Sequence, residues 1–230
     1  MWAYHIGGAR RSGASHFIHK HRKEVFHPLH GRISGQRAKI SGYGIDWKSD
    51  TPVIWAEGTV KQSSIFGENQ VLRRRIGLEI FSGTIRVDDA VENLFRRSPH
   101  AILYHINFGY LFLDEATQIG GDIDEGFVST FNGEDKSPRD DFVDYFLEIP
   151  VISKGSSATI EVRNDKLAEG VRAIISFPPE AMPDFGIWRA FQSGVYALAV
   201  EPMRRSDLQG EAVQGYGMLE PVHVLARTTT

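Results

Sequence analysis

Three short stretches set polar side chains that can move protons into apolar surroundings: HPLHGRIS (His27 to Ser34), YHINFG (Tyr104 to Gly109) and YALAVEPM (Tyr196 to Met203). The second belongs to ILYHINFGYLF, which reads as a buried β-strand with a histidine and an asparagine in its middle. Strand alternation puts Ala101, Leu103, His105 and Asn107 on one face and Ile102, Tyr104, Ile106 and Phe108 on the other. An imidazole placed there can act as acid or base near neutral pH. The competing reading is a satisfied core histidine, its ring bonded to Asn107 or to a backbone carbonyl. In the third stretch Val195, Ala197, Ala199 and Glu201 share a face, so a carboxylate ends a small apolar row and Pro202 is expected to end the pairing. A carboxylate there would be partly desolvated, which raises its pKa and suits it to proton transfer. The alternative is a solvated strand end.

Other clusters offer weaker chemistry. His16, His19, His21, His27 and His30 crowd the first thirty residues, but their spacing matches no zinc motif and HExxH is absent, so no metal site is expected. Arg73, Arg74 and Arg75 could grip a phosphate or a carboxylate. Alternation sends Arg74 to the opposite face from its neighbours, which favours a solvated, charge-protected strand. The glycine-rich pieces form neither a P-loop nor a dinucleotide fingerprint, and no GxSxG elbow exists for a serine nucleophile.

The elements that must position these residues are strands. From Thr51 onward, PVIWAEGTVKQSS, NQVLRRRIGLEIFSGTIRVDDAVEN, AILYHINFGYLF, DYFLEIPVI, SATIEVRN, VRAIISF and GVYALAVEP follow one another, bounded by Gly, Pro, Asn, Asp or Ser. FSGT, Phe81 to Thr84, predicts a hairpin turn centred on Ser82 and Gly83. Helical periodicity is scarce, and Leu113 to Asp141 reads as a long polar connection. The pattern predicts an all-β fold of antiparallel sheets. The first forty residues are basic, His-rich and without sustained period. The expected organisation is an irregular arm over 1–26 and one β-sandwich domain over 27–230.

Composition narrows the function classes. A hydrophobic share of 41% against 24% charged fits a folded globular chain rather than a disordered one. A net charge of −3 supplies no field for nucleic acid, so no such partner is expected. The chain has no cysteine, which excludes disulfides and thiolate chemistry. No apolar run approaches the ~20 residues of a membrane span, so no membrane partner is expected and the cytoplasm is the default location.

PLHGRIS, EGTVKQSSIFGENQVLRRRI, VDDAVEN, LYHINFGYLFLDE, WRAFQSGVYALAVEP and YGMLEP occur in an order that resembles the DUF4432 proteins of the aldose 1-epimerase, or galactose mutarotase-like, superfamily. The resemblance runs from about His27 to Pro221. It implies an antiparallel β-supersandwich with a sugar groove on one sheet, a histidine general acid and a late glutamate general base. Those roles carry over to His105 and Glu201, although the spacing from His105 to Asn107 is one residue shorter than in the mutarotase pattern. His30 and Arg32 resemble the substrate-contacting pair. Asn107, Arg74 and Trp188, all inside the shared stretches, complete the expected sugar contacts.

The activity so implied is an aldose 1-epimerase-like isomerase acting on a monosaccharide or sugar derivative, with acid and base on opposite sides of the ring and no cofactor chemically required. The alternative is a non-catalytic carbohydrate-binding protein or an inactive, truncated member. Family members carry further strands ahead of LHGR, so the fold is expected to be incomplete at its N-terminus, with uncovered sheet edges and possible homo-oligomers.

Overall fold

The computed structural model describes residues 31–48, 50–65, 69–94, 98–153, 155–204, 217–219 and 224–228. These fall into two compact units, one ending at Ile102 and resuming after residue 204, the other running from Leu103 to Arg204.

The first unit is built on a five-stranded antiparallel sheet, β1 (Lys39–Asp46), β2 (Val53–Ser63), β3 (Asn69–Glu79) and β4 (Ile85–Asn93) in sequence order, closed by β15 (Val224–Thr228) against β4. A short 3-10 helix, Ile33–Gly35, precedes it, and Ile33 packs on Leu72 and Val91 to make a small core. β5 (Ser98–His100) pairs with β14 (Gly217–Leu219). The expected hairpin between β3 and β4 is present. Its turn takes two left-handed residues, Phe81 (φ 73°) and Gly83 (φ 70°), and is closed by the Glu79 N–H donating to the Thr84 carbonyl at 2.9 Å.

The second unit holds the Leu103 end of β6 (Ile102–Leu103), then β7 (Ile106–Gly109), β8 (Gln118–Gly121), helix α1 (Glu125–Gly133), β9 (Tyr145–Glu148), β10 (Ala158–Asn164), β11 (Val171–Phe177), β12 (Asp184–Gln192) and β13 (Val195–Arg204). β8, β10 and β11 form one sheet; β9, β12 and β13 form the other, with β6 and β7 both on the far side of β13. β12 and β13 are the long central hairpin, turned by Ser193 and Gly194, whose φ of 87° suits glycine. Large side chains on the β12–β13 reverse face, among them Phe185, Ile187, Phe191, Leu198 and Val200, are buried and form the core.

Several expectations change. The region 113–141 contains β8 and α1 rather than an unstructured connection. Asp124 caps α1 by accepting from the Phe127 N–H at 2.8 Å, and Phe127 and Phe131 stack one turn apart. Pro202 does not end β13, because Phe185 pairs with Pro202 and Asp184 with Met203. Although proline brings no N–H to the ladder, its carbonyl accepts from the Tyr104 N–H at 3.1 Å. ILYHINFG is not one strand: it breaks at Tyr104 and His105 between β6 and β7.

Candidate active site

That break lies beside the part of β13 that carries Glu201. β7 pairs with β13 through Ile106 and Val200, while Tyr104 meets Pro202, so His105 falls opposite Glu201. The His105 Nε2 and Glu201 Oε1 atoms lie 3.2 Å apart, within ion-pairing reach when the ring is protonated. The histidine side chain keeps 20% of its surface exposed whereas Glu201 is fully buried. Burial overturns the solvated strand-end reading of Glu201. The Asn107 amide donates to the His105 carbonyl at 3.3 Å, bracing the backbone at the break.

Cross-strand partners share a face, so register shows what surrounds the pair. Glu148, Gly186 and Glu201 form one row across β9, β12 and β13; Phe146, Trp188, Ala199 and Asn107 form the next, extended onto β7. The Trp188 and His105 rings meet edge to face, centroids 5.6 Å apart, and the indole N–H donates to Asp144 at 3.1 Å. The face therefore joins the His105–Glu201 pair to two aromatic rings and small residues. The two side chains lie next to one another on this face.

Four of the residues singled out in the sequence thus come together in the second unit: Glu201, Asn107 and Trp188 on strands of one sheet and His105 in the break between β6 and β7. Arg32 and Arg74 belong to the first unit. Arg32 caps the 3-10 helix, and Arg74 clasps the buried Asp89 through hydrogen bonds of 2.7 and 2.6 Å. Its neighbours Arg73 and Arg75 point the other way, to Glu92 and Glu57, as alternation predicts. His30 and the other N-terminal histidines lie outside the described residues. Sequence reasoning missed Asp144, Phe146, Glu148 and Gly186. The signal was partial: DYFLE read as a strand puts Asp144, Phe146 and Glu148 on one face, but not which strand they border.

Among the described residues no group of three or more His, Cys, Asp or Glu side chains could hold a metal, and no helix is long and apolar enough to cross a membrane.

The model of a domain of unknown function, DUF4432, matches residues 4–224. The chain belongs to the DUF4432 family. Solved structures share its fold at low identity. A candidate aldose 1-epimerase from Klebsiella pneumoniae superposes with a TM-score of 0.72 at 18% identity, covering 87% of this chain and 58% of that one. The chain thus spans little more than half of that protein's length. The Slr1438 protein of Synechocystis gives 0.61 at 17% identity over 94% of this chain and 73% of its own. A galactose mutarotase-like protein of Clostridium acetobutylicum gives 0.61 at 13%, covering 86% and 69%. No curated protein matches the sequence. The DUF4432 chain therefore has the all-β sandwich fold of the mutarotase-like proteins, as its sequence motifs led us to expect.

Proposed function

We propose that this DUF4432 protein interconverts the anomers of a monosaccharide or sugar derivative, with Glu201 as general base and His105 as general acid. The observation that carries the reading is the 3.2 Å contact between His105 Nε2 and Glu201 Oε1. The anomeric oxygen and the ring oxygen of an aldose are bonded to the same carbon, so a base and an acid at hydrogen-bonding separation can address both at once. Glu201 takes the anomeric hydroxyl proton, the C1–ring-oxygen bond breaks with its electron pair on the ring oxygen, and the imidazolium of His105 protonates that oxygen. The open-chain aldehyde turns about C1–C2. Closure on the other face returns the proton on the former ring oxygen to His105, while Glu201 returns the other to the aldehyde oxygen. The enzyme ends as it began.

The neighbours fit this use. Trp188 and Phe146 offer apolar surface for the C–H face of a sugar, and Asn107 lies in the same row. Arg74 is not given a substrate role here, because Asp89 takes the Nε and Nη2 hydrogens along one edge of its guanidinium. The full burial of Glu201 favours a second reading, a structural His–Glu pair in a protein that binds sugar without turnover. Saturation-transfer NMR between the two anomers of unlabelled aldoses separates the readings. Accelerated exchange supports the enzyme, and ligand line broadening without it supports the binding protein.

A further inference from the structure

We propose that the β1–β4 sheet of the first unit carries the docking face for a second copy of this chain. Across β1 to β4, two cross-strand rows on one side of that sheet are apolar: Tyr43, Ala56, Ile76 and Val87, then Ile45, Ile54, Leu78 and Ile85. Their large members, Tyr43, Ile45, Ile54, Ile76, Leu78 and Ile85, are between 40% and 81% exposed.

The same side of the same sheet behaves differently one step further along. Beyond the Arg74–Asp89 pair the row of Val60, Leu72 and Val91 packs inward, with Leu72 and Val91 buried. The reverse side does not seek cover. There Arg73 pairs with Glu92, Arg75 with Glu57 and Arg86 with Glu79, and the Arg75 guanidinium lies 4.1 Å above the Trp55 ring. A sheet with one ion-paired face and one apolar face is built for water on the first and a second layer on the second.

A second copy supplies that layer. The two rows carry no charge, so the matching surface must be apolar and sheet-like, which an identical face related by a twofold axis is. At about 100 Å² for each half-exposed large side chain, the patch is on the order of 600 Å², the upper end for the largest patch on a monomer. Two such faces together bury about 1,200 Å², the lower bound of a stable standard-size interface.

Sedimentation velocity of the full chain over a concentration series tests this. A reversible monomer–dimer equilibrium is expected, shifted to monomer by Ile54→Lys or Ile76→Lys with the β-sheet circular dichroism retained. Should those variants fail to fold, the absence of native cysteine provides a second route. Ile76→Cys should form a covalent dimer on mild oxidation, while Lys61→Cys on the charged side should not. A wild-type monomer at every concentration, open-ended aggregation, or a dimer that neither Lys substitution weakens nor Ile76→Cys captures would overturn the proposal. In the first case another segment or another protein covers the face.

Discussion

The ring of Phe146 lies across Gly186 so closely that a β-carbon at position 186 would stand 2.0 Å from Phe146 Cζ. Gly186 is the register partner of both Glu201 and Glu148, so this contact seats an aromatic ring in the row of the proposed base. Gly186→Ala must push the ring away, and overpacking of this kind costs about 1–3 kcal/mol. A lowered Tm is expected, partly restored in the Gly186→Ala, Phe146→Leu double variant because the pair is in contact. Additive losses would contradict the packing described.

Arg74 is expected to matter for stability rather than for substrate. Asp89 is buried, and removing the cation that clasps it leaves a carboxylate in a dry setting, at a cost of about 2–4 kcal/mol. Arg74→Ala should therefore lower the urea midpoint sharply and leave the apparent KM of surviving enzyme unchanged. A large rise in KM with unaltered stability would return Arg74 to the sugar site.

Tyr196 should make the protein sensitive to alkali. Burial, with Asp114, Glu115 and Asp135 nearby, pushes its phenol up to about 12 from the ordinary tyrosine value of 10.0. The folded chain holds that proton more tightly than the unfolded chain, so the contribution is complete below pH 10 and is lost as pH rises through about 12. Its O–H also donates to the Lys136 carbonyl at 2.6 Å. Tyr196→Phe should cost about 1 kcal/mol at neutral pH for that bond. The gap to wild type should close between pH 10 and 12; a gap that stays constant over that range would contradict the assignment.

Lys136 has the opposite sign. It is buried, with Nζ donating to the Glu134 carbonyl at 3.1 Å and lying over the Phe131 ring, and burial lowers its pKa from 10.5. The unfolded chain therefore binds this proton more tightly, and stability rises with pH from the folded value up to about 10.5. Lys136→Met should raise Tm at pH 7 and lose that advantage as pH approaches 10.5. Chemical denaturation at both pH values reads the difference.

Much of this was legible locally, and the remainder depended on partners distant in sequence. β2, β3, β4, β10, β11 and β13 follow from alternation and turn residues. β1 does not, because Gly42 and Gly44 weaken its pattern; their purpose is spatial, since the Trp55 indole lies against both. α1 carried readable marks in its Asp124 cap and Phe127–Phe131 spacing, obscured by the polar run around them. His105 and Glu201 stood out as polar residues in apolar rows, but their contact depends on a strand break facing Pro202, which no local pattern contains. The same holds for Arg74: alternation separated it from Arg73 and Arg75, while its partner Asp89 is set by the register of β3 on β4.

The central claim is that the His105–Glu201 pair turns over a sugar, and anomer-exchange NMR on wild type and Glu201→Gln tests it most directly. The glutamine keeps size and hydrogen bonding but cannot take the anomeric proton. Wild type should accelerate exchange for at least one member of a panel of neutral, acidic and phosphorylated aldoses. Glu201→Gln should lose roughly 10²–10⁴ of that acceleration with sugar binding largely kept. Exchange by Glu201→Gln at the wild-type rate, or no acceleration of any aldose by the wild type, would contradict the account.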